Sequence, residues 1–292
     1  MIPDSVMREL RYIELRSSRK MRNTRLGTYT SRLRGPGFDF DEHQPYRPGD
    51  DVRRIDWNVT ARLDTPYVRH THADRELTAM IVVDVSGSMG YGTGRYSKRE
   101  TMMFISASLL FSALADNIRA GFVAFTDRVV VAAPPARGRA AAWAQLEACW
   151  AAFDATGGTN IRSAFEYLLT VLKRTAVVCI VSDFLGDDGW TRSPEASMLS
   201  ARHDVIAVVP EDPGERRLPG GHGYVRIREP ETGRHSTVAL SGRARARYAA
   251  DADAHRRRLV ETFHDASMGY VFVPTNGSSV EPLMEFFAEM RR

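Results

Sequence analysis

From Leu77 onward the apolar and polar positions alternate between two patterns. Thr78 to Asp84 (TAMIVVD), Gly121 to Phe125 and Ala176 to Ser182 (AVVCIVS) are short runs of mostly small and β-branched apolar residues without period-two alternation. Such runs predict strands buried on both faces of a sheet. Val205 to Val209 and Tyr270 to Val273 extend the strand set, and Val129 to Ala132 is short enough for a hairpin partner at the sheet edge. Between them lie helical patterns: Ser97 to Ile118, Ala140 to Phe153, Ile161 to Leu172, a stretch ending near His203, Ala244 to Phe263, and Glu281 to Met290. Ser97 with Glu100 three residues on has the form of a capping box, which predicts where the first of these helices starts.

Strands alternating with helices predict an α/β fold, a doubly wound and mostly parallel sheet covered on both faces. Sheets of that kind place their sites in loops at the carboxyl ends of strands. Two regions fall outside the alternation. Residues 1–76 begin with a helix-like segment and pass through Gly35-Pro36-Gly37 and Pro48-Gly49-Asp50-Asp51, an N-terminal arm ahead of a main domain at 77–292. An insertion at about 211–240 contains a β-hairpin with arms Tyr224–Arg228 and Ser236–Leu240.

Composition adds bounds. A hydrophobic fraction of 43% and a charged fraction of 26% are those of a globular chain with a sizeable core. The net charge of +4 is too small to define a nucleic-acid or lipid binder. Arg8 to Arg34 carries nine basic residues against Glu9 and Glu14, with only Tyr12 and Tyr29 as aromatics. That pattern predicts a solvated helix face, and a nucleic-acid-associated role is a minor alternative. Cys149 and Cys179 each sit in an apolar run, as buried free thiols do. No run approaches the ~20 apolar residues of a membrane span and no signal-peptide pattern is present, so a cytoplasmic location without a membrane span is expected.

The candidate chemistry lies at strand ends. Asp84-Val85-Ser86-Gly87-Ser88 follows a buried strand directly, and Asp, Ser and Ser at alternate positions of a strand-to-helix turn can aim oxygens at one point. Thr159, in Thr156-Gly157-Gly158-Thr159-Asn160 before a helix, offers another hydroxyl, and Asp183 ends AVVCIVSD. Oxygen-only donors suit a hard cation, Mg²⁺ first, with Mn²⁺ or Ca²⁺ as further candidates. This ordered set resembles the metal-ion-dependent adhesion site of von Willebrand factor A-like domains. The resemblance implies a cation held by Ser86, Ser88 and Thr159, with Asp84 and Asp183 acting directly or through water, and one position open for a carboxylate of an acidic protein ligand.

A second stretch, residues 35–62 (GPGFDFDEHQPYRPGDDVRRIDWNVTAR), is similar to the signature of the domain of unknown function 58 family. That resemblance implies partnership with a MoxR-type AAA+ ATPase and a non-enzymatic role in assembling, maturing or remodelling other proteins. Within the signature, Arg47, Asp50, Asp51, Arg53, Asp56, Trp57 and Arg62 are expected to be structural, with Trp57 packed in a core or interface. A metal-dependent phosphotransferase or phosphatase is the enzymatic alternative, since Asp84 at a strand end could serve as a nucleophile. Against it, Ser86 stands where haloacid dehalogenase-type enzymes, whose topology is similar, carry a second Asp, and no lysine in a suitable loop is evident; the absence of G-x-S-x-G disfavours a serine hydrolase. Gly90-Tyr91-Gly92-Thr93-Gly94 lacks the residues of a phosphate loop and is expected to be a flexible connection.

Overall fold

The computed structural model describes residues 2–20, 39–47, 50, 52, 55–63, 65–72, 77–155, 157–185, 188–228 and 235–290. They belong to two compact units, Met1–Tyr29 with Leu77–Arg292, and Thr30–Glu76. The stretch 1–76, expected to be one arm, is therefore divided, because its first helix buries its apolar face in the main unit.

In the main unit, α1 (Asp4–Lys20) precedes β3 (Thr78–Asp84), α3 (Lys98–Ala115), β4 (Arg119–Phe125), β5 (Val129–Ala136), α4 (Arg139–Ala152), α5 (Ile161–Val171) and β6 (Val177–Val181). Then come α6 (Pro194–Arg202), β7 (Asp204–Glu211), the single turn α7 (Pro213–Arg216), the hairpin β8 (Tyr224–Arg228) and β9 (His235–Ala239), α8 (Gly242–Asp265), β10 (Gly269–Pro274) and α9 (Glu281–Glu289). The smaller unit contributes β1 (Asp39–Pro45), α2 (Trp57–Leu63) and β2 (Tyr67–His72).

Six strands form the central sheet in the order β10-β7-β6-β3-β4-β5. All neighbours are parallel except β4 and β5, which pair antiparallel at the edge. This is the doubly wound α/β architecture expected, with strand order 3-2-1-4-5-6 when the sheet strands are counted along the chain. In this order the chain changes direction of travel between β3 and β6, and the crevice at the carboxyl ends of these two strands is the switch point.

Successive residues of β3 serve opposite cores, as the two-residue period of a strand requires. Ala79, Ile81 and Val83 join α1, α3, α4 and α9 on one face, whereas Met80 and Val82 join α5, α6 and α8 on the other. Helix α3 is buried nearly all round, because α1 covers the side turned away from the sheet with Val6, Leu10 and Ile13. Arg8 and Arg11 of the basic stretch are exposed on the remaining face of α1, while Arg22, Arg25, Arg32 and Arg34 lie outside the described residues. Arg139 of α4 ties the helix down through Glu14, which also accepts from the Trp143 indole at 3.3 Å.

In the smaller unit, β1 and β2 pair antiparallel with an irregularity between Phe40 and Glu42. The Arg47 N–H donates to Asp50 Oδ2 at 2.8 Å, and the Asp50 N–H returns a bond to the Arg47 carbonyl at 3.0 Å, closing a turn. The Asp56 carboxylate accepts from the Val59 N–H at 3.3 Å at the start of α2. Trp57, expected to pack, is instead 70% exposed. It is the first residue of a two-turn helix whose half-buried positions are Val59 and Thr60. Arg62 is exposed, and Asp51 and Arg53 lie outside the described residues.

Candidate metal centre

Strand β3 ends on Asp84, fully buried, at the switch point. The chain then turns: the Ser86 N–H donates back to Asp84 Oδ1 at 3.0 Å, an Asx turn that reverses the backbone into a short 3₁₀ segment, Gly87–Gly90. That turn brings the Ser86 and Ser88 hydroxyl oxygens to 3.2 Å from one another. From the neighbouring strand, the Ser182 hydroxyl donates to Asp84 Oδ2 at 2.8 Å and accepts from the Phe184 N–H at 3.0 Å. Phe184, just after Asp183, adopts a left-handed conformation (φ 53°). The Leu185 N–H donates to Asp183 Oδ1 at 2.9 Å.

Thr159 is half-buried in the loop entering α5. This loop is fixed to the carboxyl end of β4, the neighbour of β3, by the Asn160 N–H donating to the Thr126 carbonyl at 2.9 Å. Gly157 makes that approach possible: its φ is +156°, and a Cβ there would stand 2.9 Å from Asp127 Oδ1. Thr156 lies outside the described residues. Asp84, Ser86 and Ser88 are thus joined by hydrogen bonds, with Asp183 close enough for its charge to act on Asp84 and the Thr159 loop at the adjacent strand end.

Lys98 is the residue the sequence reading passed over. Its side chain is fully buried, and Nζ donates to Asp183 Oδ2 at 2.7 Å while pairing with Glu215 of α7. Lys98 is the first residue of α3, capped by Ser97 and Glu100 as expected. An ammonium at a helix N-terminus meets the positive end of the helix dipole, so the two carboxylates are what make the position tenable. A signal was present in the sequence: one of only three lysines in the chain stands directly after a helix cap. The expectation looked for a lysine in a loop, whereas Lys98 reaches Asp183 from the first turn of a helix.

The electrostatics follow from burial and neighbours. Burial, then the charge of Asp183, pushes the Asp84 carboxyl up to about 6 despite hydrogen bonds from Ser86 and Ser182. Burial alone would push the Lys98 ammonium down, but Asp183 and Glu215 hold it above the ordinary lysine range. Carboxylates, imidazoles and thiols do not make a centre by themselves: among the described residues no three of them are placed to hold a metal ion. A cation here must therefore be held by two carboxylates and hydroxyls. The donor set fits one, since hard divalent ions favour oxygen ligands and keep several waters. Two mutually repelling buried carboxylates are also the situation such an ion relieves.

The glycine-rich segment 90–94 is anchored at several points rather than hanging free. Thr93 donates to Asp212 through both its N–H (3.0 Å) and its hydroxyl, and the Lys98 N–H donates to the Tyr91 carbonyl at 2.9 Å. Asp212 also accepts from the Gly214 N–H and the Thr275 hydroxyl, each at 2.8 Å. The loops after β3, β7 and β10 therefore meet at one carboxylate.

A doubly wound sheet with an oxygen-lined switch point defines the class. Comparison with known proteins gives the family: the chain belongs to the proteins of unknown function DUF58, whose family model matches residues 42–258. The uncharacterized protein Rv1480 of Mycobacterium tuberculosis is 31% identical over 285 residues, covering 97% of this chain and 89% of that protein. The uncharacterized protein MAV169 of Mycobacterium avium is 28% identical over 133 residues, covering 46% of this chain and 77% of that protein. Solved structures that align with the chain include the conserved hypothetical protein BatB of Bacteroides thetaiotaomicron, 16% identical with a TM-score of 0.45. That alignment covers 73% of this chain and 98% of BatB. A von Willebrand factor type A protein of Catenulispora acidiphila is 16% identical with a TM-score of 0.35, covering 76% of this chain and 44% of that one. No helix among the described residues is long and apolar enough to cross a membrane.

Proposed function

We propose that the protein is a non-enzymatic, cation-dependent protein-binding module. The observation that carries this is the hydrogen-bonded set of Asp84, Ser86 and Ser88 at the switch point of the sheet, with Asp183 close enough for its charge to act on Asp84. Ser86, Ser88 and Thr159 would offer hydroxyls, and Asp84 and Asp183 carboxylates, to Mg²⁺ or a similar ion. Once bound, the ion supplies an electrostatic hold on a carboxylate of an acidic partner. The family resemblance adds a MoxR-type AAA+ ATPase as the partner in assembly, maturation or remodelling of other proteins. A cytoplasmic location belongs to the same reading and is supported by two free, buried cysteines.

Calorimetric titration of the intact protein with Mg²⁺ and Mn²⁺ tests the cation. Binding is expected, and Asp84→Ala or Ser86→Ala should abolish it without unfolding; a protein that binds neither ion removes the basis of the reading. Capture of the ATPase in Mg²⁺ but not in EDTA tests the partnership.

One observation favours a second reading, a metal-dependent phosphotransferase: a buried lysine paired with Asp183 just past a strand end is a feature of phosphoryl-transfer sites. Full burial of Asp84, with both oxygens already accepting hydrogen bonds, leaves a nucleophile no approach and weighs against it. Hydrolysis of p-nitrophenyl phosphate that disappears in Asp84→Asn would reverse that judgement.

A further inference from the structure

Lys98 has a role that the adhesion-site resemblance does not supply. The switch point gathers three carboxylates, Asp84, Asp183 and Glu215, and one ammonium. With all four ionised the cluster carries two net negative charges, the complement of one divalent ion. Lys98 sits on the side of Asp183 opposite the oxygen bonded by the Leu185 N–H: Oδ1 takes the backbone donor and Oδ2 the ammonium. An ion entering the centre must therefore share Asp183 with a positive charge already in place.

Glu215 sets how firmly that charge is held. It is fixed independently of Lys98, since its carboxylate accepts from the Asp212 N–H at 3.2 Å in the capping box of α7. Asp212 in turn is anchored by Thr93, Gly214 and Thr275. Glu215 is thus a stationary second acceptor for the ammonium, available as Asp183 turns to an ion.

We propose that Lys98 is a tethered internal cation that competes with the divalent ion for Asp183, and that Glu215 favours the ion by drawing Lys98 away. Lys98 and Glu215 are then positioning residues that tune cation affinity in opposite directions, although they form one ion pair. The inference rests on the cation-binding reading above.

The test measures Mn²⁺ affinity of the whole protein by calorimetry and by the loss of the free-ion electron paramagnetic resonance signal. Lys98→Met, which removes the competing charge at similar volume, should tighten binding by about tenfold or more, as expected for a like charge removed from contact with a ligand. Glu215→Gln, which leaves Lys98 on Asp183 alone, should weaken binding by about threefold to tenfold. A pair serving only to hold the fold would shift both variants the same way, or neither, and that result overturns the proposal. If Lys98→Met does not fold without metal, Glu215→Gln decides on its own, because its side chain, 22% exposed, has the same shape as the amide that replaces it; unchanged or tighter binding in that variant refutes the idea.

Wild type that binds Mn²⁺ and loses it in Asp84→Ala, with Lys98→Met no tighter, sinks this inference and leaves the cation-binding reading standing. Failure of wild type and both variants to bind defeats both. Binding seen only in Lys98→Met overturns the cation-binding reading of the wild-type protein, and this inference with it, since Lys98 is then the permanent occupant of the centre.

Discussion

Two buried aspartate centres lie along the same edge of the sheet and behave oppositely. Asp212 and Asp84 are both fully buried. Yet Asp212 is held below the ordinary carboxylate range, while Asp84 is pushed up to about 6. Burial works to raise both, and more strongly Asp84, which lies deeper in the protein. The company differs as well. Asp212 accepts four hydrogen bonds, from two N–H groups and two threonine hydroxyls. Asp84 accepts from the Ser86 N–H and from the Ser86 and Ser182 hydroxyls, and faces a second carboxylate. A saturated carboxylate is a joint, because its charge is spent on the loops it holds. An unsaturated pair retains field for something that arrives from outside.

The largest test of that contrast is Asp212→Ala. Four donors lose their acceptor, each worth roughly 1.5–3 kcal/mol to a charged group but not additive. A loss of about 4 kcal/mol, seen as a melting temperature roughly 10 °C lower with or without Mg²⁺, is expected. A drop that Mg²⁺ restores would mean Asp212 belongs to the cation centre, and the contrast would break. Thr275→Val removes one of the four and should cost about 1–2 kcal/mol, with no change in Mn²⁺ affinity.

Asp84→Asn should move the metal-free melting temperature by less than either, within about 1 kcal/mol, since lost hydrogen bonds offset relief from Asp183. Cation binding should nonetheless vanish, a separation of binding from stability that Asp212 cannot show. Acid sharpens the comparison with the smallest signal. Because its folded value is depressed, the stability Asp212 contributes is present above the unfolded carboxylate value of 3.8 and lost as pH falls through the lower folded value. Urea midpoints measured from pH 5 downward should therefore fall more steeply in wild type than in Asp212→Asn.

The two centres also differed in how plainly the chain announces them. Asp84, Ser86, Ser88 and Asp183 could be read directly, because each stands at or just past the end of an apolar strand run and spacing within one turn sets their geometry. The capping box of Ser97 and Glu100 and the hairpin β8–β9 were legible for the same reason: local spacing determines them. Lys98 with Asp183, and Thr93 with Asp212, are 85 and 119 residues apart in the chain. Only the strand order brings them together, and no local period encodes that order. The glycine-rich segment misled for a related reason. Gly92 is there because a Cβ would come 2.6 Å from the Ser97 Cα, so the glycine marks close packing and not freedom. Trp57 misled in the other direction, a large apolar side chain left 70% exposed at the start of a short helix.

Helix α1 has a practical consequence for anyone trimming this protein. The family match starts at residue 42, well after α1, and the central sheet starts at Thr78. A version shortened to either boundary would lose Val6, Leu10 and Ile13 and uncover one whole side of α3. Such a protein would present a sticky apolar stripe to every neighbour in solution, and its insolubility would say nothing about the switch point only a strand away.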